Sequence, residues 1–217
     1  ALGAKYPTGE SVGSCAWSNL TVFSLHPAKT ITMGEGGVVT TNDLSLAKRL
    51  KLYRNNGIEK DSTLPGHYTV LAITGNYNVS ELHAALGLSQ LKRVESVVKR
   101  KAKLIKRYRE EFHKVSYIKL LNHNSYSANH LFPILIDFSS IDINRKNLML
   151  KLKEEGISTQ VHYIPINHHP FYRKLNSKKI LTQAENYYER ALSLPIFYDL
   201  KDKEQKHIIY HIKKLIK

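Results

Sequence analysis

Cysteine is almost missing from this sequence: Cys15 stands alone among 217 residues. A single cysteine excludes an internal disulfide framework and fits a reducing compartment. Its thiol is either a small buried hydrophobe or a reactive group, and no basic neighbour in sequence activates it. No apolar run is long enough to span a bilayer and no secretory-signal pattern opens the chain, so the expectation is a soluble, cytoplasmic protein. Internal repeats and low-complexity segments are also lacking. Acidic residues are few, 18 Asp and Glu against 33 Lys and Arg, for a formal net charge of +15. A chain of this length can bury a sizeable core in one domain or two.

The surplus of positive charge makes nucleic-acid binding the rival function class. Lys92 to Arg109 form a basic helical stretch, and Lys213, Lys214 and Lys217 add a basic end. Against that reading, no helix-turn-helix, zinc or aromatic RNA-binding signature accompanies the charge, and Glu81, Glu95, Glu110 and Glu111 interrupt it. A solvated helix face accounts for the pattern, and some positive potential also suits an anionic substrate.

What is present is a lysine in an unusual setting. Val22 and Phe23 end an apolar run, Ser24 supplies a hydroxyl, Lys29 follows, and Gly34, Gly36 and Gly37 allow a sharp turn before Val38 and Val39 begin a strand. The order is strand, site, turn, strand. A lysine amine in a partly desolvated, polar pocket loses its proton more readily than in water and can form a Schiff base with an aldehyde cofactor. Ser24 can hydrogen-bond a phosphate of the same molecule. Spacing alone leaves open a surface lysine in a glycine-rich hairpin.

The segment from Ser24 to Gly37 resembles the lysine segment of the nucleotide-sugar aminotransferases of the DegT and StrS type, with Leu25 as the mild departure from its core pattern. Gly75-Asn76-Tyr77, the run Ala84 to Leu91, and Gly156 to Tyr163 with Pro165 resemble further motifs of that family, in the same order. The run Gln160 to Ile166, with Pro170 and Tyr172, most resembles the branch that aminates a 4-keto-6-deoxy UDP-sugar on the pseudaminic acid pathway.

The resemblance implies a pyridoxal phosphate-dependent transaminase with glutamate as amino donor, acting as a homodimer whose site is shared between subunits. It implies that Lys29 is tether and acid/base, and that Ser24 contacts the cofactor phosphate. Asn76 would reach the partner subunit's cofactor phosphate, its other reading being an ordinary turn residue beside Gly75. His162 and Tyr163 become candidate substrate contacts, although a histidine beside apolar residues is often a satisfied structural one. Asn78 stands where the family usually has Arg, which replaces a forked cationic contact by a short neutral amide. Asn167 stands where close members have His. His26, His168 and His169 have no carboxylate or cysteine pattern to complete a metal site, so no metal is expected.

The family motif holding the Asp that pairs with the cofactor's pyridine nitrogen ends in Ala-Leu-Gly, as this chain begins. The reading is therefore a C-terminal piece, weakly active or inactive by itself. An inactive remnant is the other alternative.

The expected fold is α/β: the end of the large cofactor domain of aminotransferase fold type I over residues 1–115, then its small C-terminal domain over 116–217. Helices are expected at Leu44 to Asn55, capped by Asn42 or Asp43, at 81 to 112 as one or two helices after Ser80, at Asn144 to Glu155, near Ala184 to Ala191, and at Lys203 to Ile216. Strands are expected at Leu131 to Phe138 and Thr159 to Tyr163, and a long loop from Gly57 to Asn78.

Overall fold

In the computed structural model, which describes residues 1–175 and 181–217, Phe23 and Leu25 are buried while Val22 and Ser24 face solvent. That period-two alternation is the signature of a strand with one covered face. Strand β1 (Thr21–Ser24) pairs antiparallel with β2 (Gly37–Thr40), Thr21 opposite Thr40 and Ser24 opposite Gly37. Helix α1 (Leu44–Arg54) starts at Asp43, whose carboxylate accepts from the backbone N–H groups of Ser45 and Leu46. That satisfies two donors with no intrahelical partner.

The expected long loop from Gly57 to Asn78 contains a second antiparallel hairpin, β3 (Ile58–Lys60) with β4 (Tyr68–Val70). All of its strand residues except Ile58 are exposed, so no apolar alternation announces it. The turn chemistry does: Asp61 Oδ1 accepts from Thr63 N, Thr63 Oγ1 and Leu64 N just before Pro65 and Gly66. The helical stretch after Ser80 is two helices, α2 (Glu81–Leu91), capped by the Ser80 hydroxyl, and α3 (Val94–Phe112), broken at Lys92 and Arg93.

Two units make up the chain: residues 1–98 with 126–128, and residues 99–125 with 129–217. In the first, Leu25, Ile31 and Met33 form a small core with Leu2 and Val94 against it. In the second, β5 (Ile118–Leu120), β6 (Phe132–Ile136) and β7 (Ala191–Leu194) form an antiparallel sheet in the order β5-β6-β7. Its core joins the sheet to α3, α4 (Arg145–Glu154) and α7 (Asp202–Leu215), with Tyr108, Phe112, Ile134, Leu148, Leu152 and Ile212 among its most buried side chains. Helices α5 (Pro170–Leu175) and α6 (Thr182–Arg190) lie between Pro165 and β7.

The expected strand at Thr159 to Tyr163 is reduced to one bridge, in which Gln160 and Ser193 exchange backbone hydrogen bonds. Tyr163 and Ile164 are exposed, so their alternation has no core to cover. Among the described residues, no helix is long and apolar enough to cross a membrane.

Asp202, in the first turn of α7, takes Arg100 Nη2 on Oδ1 at 3.1 Å and Arg107 Nη2 on Oδ2 at 2.8 Å. Hydrogen bonding to Arg107, then Arg100, pulls its carboxyl down to about 2 from an ordinary 3.8. A carboxylate depressed on folding stabilises the native state above its unfolded value, and that contribution disappears as pH falls through the folded one. Between pH 3.8 and about 2, the wild type should therefore lose urea resistance more steeply than Asp202→Asn. Parallel curves over that window would show that the pair contributes nothing to acid stability.

Candidate active site

The segment between β1 and β2 is held from several directions. Leu25 N donates to Gly36 O, Met33 N to Leu25 O, and Lys29 N to His26 O. Thr32 Oγ1 donates to Leu25 O at 3.1 Å while accepting from Gly34 N at 2.9 Å. Buried Leu25, Ile31 and Met33 anchor it from below. Gly34 has φ +82°, and a Cβ there would lie 2.8 Å from His83 Cδ2; at Gly37 a Cβ would lie 2.6 Å from the carbonyl oxygen of Phe23. The first needs a backbone that favours glycine, and the second has no room for a methyl group. Helix α2 meets the same segment at Gly87, buried beside Met33.

Ser24, the last residue of β1, and Lys29, on this pinned segment, are both exposed, and neither side chain hydrogen-bonds or ion-pairs with a protein group among the described residues. A hydroxyl at the end of β1 and an amine on the segment that follows thus meet no competition from the described residues for their lone pairs or protons. Thr32 belongs to the Ser24 to Gly37 segment itself, whereas His83 is a neighbour of the loop that the motifs leave out. His83 would be found from its place on the first turn of a capped helix, where its Nδ1 lies 3.1 Å from Ser80 Oγ.

Asn76 lies outside this loop, bridged to Asn55 at the end of α1. Its Oδ1 accepts from Asn78 N at 3.1 Å and Asn78 Nδ2 at 3.0 Å. Asn78 also donates to Asn55 Oδ1 at 3.2 Å. Asn78 therefore orients the Asn76 amide, whose Nδ2 is left as an exposed donor without a protein acceptor among the described residues.

His162 and Tyr163 belong to the second unit. Ser193 on β7 fixes the His162 ring through an Nδ1–Oγ contact of 2.8 Å, and Tyr163, 69% exposed, meets that ring edge-on at 4.6 Å between centroids. Asn167 donates to Glu185 Oε1 at 3.0 Å, and His168 Nε2 lies 2.8 Å from Glu185 Oε2.

The basic stretch of α3 is largely engaged. Arg100 and Arg107 hold Asp202, Arg109 donates to Leu121 O, and Lys101 is buried, which lowers its pKa. Cys15 is half-buried rather than a core hydrophobe; its thiol donates to Thr40 O at 3.3 Å, and hydrogen bonding to Thr40 is the first cause of its lowered pKa.

The DegT/DnrJ/EryC1/StrS aminotransferase family model matches residues 1–213. The UDP-4-amino-4,6-dideoxy-N-acetyl-beta-L-altrosamine transaminase of Campylobacter jejuni strain 81-176 is 35% identical over 96% of this chain and 54% of its own length. Helicobacter pylori PseC, an aminotransferase involved in the biosynthesis of pseudoaminic acid, superposes with a TM-score of 0.91 at 32% identity, over 100% of this chain and 57% of that one. The PLP form of Spr1654 from Streptococcus pneumoniae gives a TM-score of 0.86 at 28% identity, over 99% of this chain and 55% of the other. The chain spans a little over half the length of the curated relatives it matches.

Proposed function

Because this chain belongs to the DegT/DnrJ/EryC1/StrS aminotransferase family, we propose that it supplies the lysine side of a pyridoxal phosphate site in an enzyme that transfers an amino group from an amino acid, glutamate first, to a keto sugar carried on a nucleotide. The observation that carries this reading is that Ser24, ending β1, and Lys29, on the pinned segment that follows it, are both exposed and without a side-chain partner among the described residues. Their chemistry suits the cofactor, an amine for its aldehyde and a hydroxyl for its phosphate.

When bound, pyridoxal phosphate supplies a carbonyl that condenses with amines and a ring that accepts the electrons of a broken C–H bond. Lys29 Nζ holds the cofactor between turnovers. With the cofactor bound, the freed Nζ would carry the proton from the donor's α-carbon to the carbon that bore the aldehyde, and in the second half-reaction from that carbon to the sugar carbon that gains nitrogen. Ser24 Oγ fixes the phosphate, so that Nζ stays in line with the carbon it serves. Thr32 closes the turn that holds both.

The named relatives favour a UDP-linked 4-keto-6-deoxy sugar, since a 4-amino-4,6-dideoxy product is what its transamination gives. His162 and Tyr163 are the substrate-facing candidates of the second unit, which in this reading is the small domain. The first unit is then the end of the cofactor domain. A homodimer is part of the same proposal, with the Asn76 amide donating to the partner's cofactor phosphate. Exposed Leu82, Leu88 and Leu91 on α2, and Ile73 beside Asn76, supply apolar surface for such an interface. The cytoplasm is its setting.

The test is to add pyridoxal phosphate to the full-length protein, reduce with borohydride and map the labelled peptide. A single label on Lys29 is expected. No label, or one spread over the surface lysines, overturns the reading.

A further inference from the structure

Away from the lysine loop, the second unit gathers a second set of chemically matched side chains. His207 and His211 lie one turn apart on α7, with ring centroids 4.3 Å apart. Residues four apart share a helix face, so both imidazoles emerge on the same side. Glu155, the C-cap of α4, stands opposite them: His211 Nδ1 lies 3.6 Å from Glu155 Oε1, and His207 Nε2 donates to the Glu155 backbone carbonyl at 3.0 Å. One ligand atom from each of the three falls within 4.8 Å of the others.

The backbones that carry them are fixed. Ile208, Ile209 and Ile212 bury the neighbouring face of α7, and Leu148 and Leu152 bury α4 in the same core. The end of α4 is closed by Ile157 N donating to Leu152 O and Gly156 N to Lys153 O. His211 is buried, whereas His207 and Glu155 are exposed. The cluster is therefore supported from within and open to water on one side.

We propose that Glu155, His207 and His211 form a zinc-binding site, unrelated to the amino-transfer chemistry, that ties the end of α4 to α7. Two neutral imidazoles and one carboxylate give a donor set with a single negative charge, suited to a borderline dication, whereas calcium and magnesium prefer oxygen donors throughout. In tetrahedral zinc sites neighbouring ligand atoms sit about 3.3 Å apart, and the three here already lie within 4.8 Å of one another. The Glu155 carbonyl already orients the His207 ring, as second-sphere acceptors do for ligating histidines. Water fills the fourth position on the exposed side.

Zinc titration of the chelator-stripped full-length protein tests this, followed by calorimetry, with wild type compared with His207→Gln and Glu155→Gln. Both substituted side chains are exposed and outside the core, so the fold is retained. The expected result is one zinc per chain, with affinity weakened roughly tenfold or more by either substitution. Zinc should also raise the melting temperature of the wild type and not of the variants. No saturable zinc binding, or a loss smaller than tenfold in either variant, would overturn the assignment.

Discussion

Lys29→Ala in the full-length protein is expected to lower amino-group transfer by roughly 10³-fold or more, the contribution of a positioned proton carrier taken together with loss of the tether. Lys29→Arg should be as severe. A guanidinium remains protonated across the accessible pH range and cannot take a proton from carbon. Lys29 is exposed and makes no side-chain hydrogen bond or ion pair among the described residues. Its loss should therefore leave the unfolding free energy within about 0.5 kcal/mol of wild type. That combination, activity gone and stability intact, separates a chemical role from a structural one. Partial recovery of Lys29→Ala, and not of Lys29→Arg, by added small primary amines would identify the missing function as proton transfer. A variant with substantial turnover would remove Lys29 from the mechanism.

The largest stability effect is expected in the second unit, at Phe112→Ala. Phe112 is fully buried and stacks on Tyr108 at 5.9 Å, which in turn stacks on Phe132 at 5.0 Å. Three rings thus join the end of α3 to the middle strand of the sheet. Emptying the outer place removes apolar contact and leaves a cavity that a three-ring stack cannot close, at a cost of about 3–5 kcal/mol. Tyr108→Phe provides the comparison. It deletes only the hydroxyl that donates to Pro195 O at 3.0 Å, a change of about 1 kcal/mol. Urea unfolding of both variants should rank packing well above the hydrogen bond; equal losses would mean that the stack relaxes around its missing ring.

The parts of this molecule that could be read in advance are those where local chemistry and tertiary position agree. Asp43 and Ser80 cap the helices that follow them because a short polar side chain satisfies bare N–H groups wherever the helix packs. The lysine loop was legible for a similar reason: its glycines, hydroxyl and amine lie close in sequence, and the short apolar runs on either side become β1 and β2. Strand β7 was not legible. Ala191–Leu194 is buried on both faces and follows α6 without a breaker, so its residues continue the apolar pattern of a helix end. Thr159 to Tyr163 failed the opposite way, alternating like a strand but pairing its backbone with β7 only at the Gln160–Ser193 bridge among the described residues. The approach of Glu155 to His207 and His211 was invisible because it joins two helices far apart in the chain, and only the His spacing on α7 hinted at it. Asn78 was read as a lost cation, and the hydrogen bonds that make it a support for Asn76 arise from the fold.

The Gly37 contact also bears on how freely such a sequence can drift. Most of its surface lysines can change to arginine or glutamine over generations with little consequence, because water replaces what the side chain leaves. At Gly37 even the smallest exchange puts a methyl group 2.6 Å from the Phe23 carbonyl, and β1 must separate from β2 to admit it. Ser24 is the residue paired with Gly37. A lineage that lost this glycine would shift the hydroxyl beside its lysine while every reactive group stayed in the sequence, a decay that an inventory of functional side chains would miss.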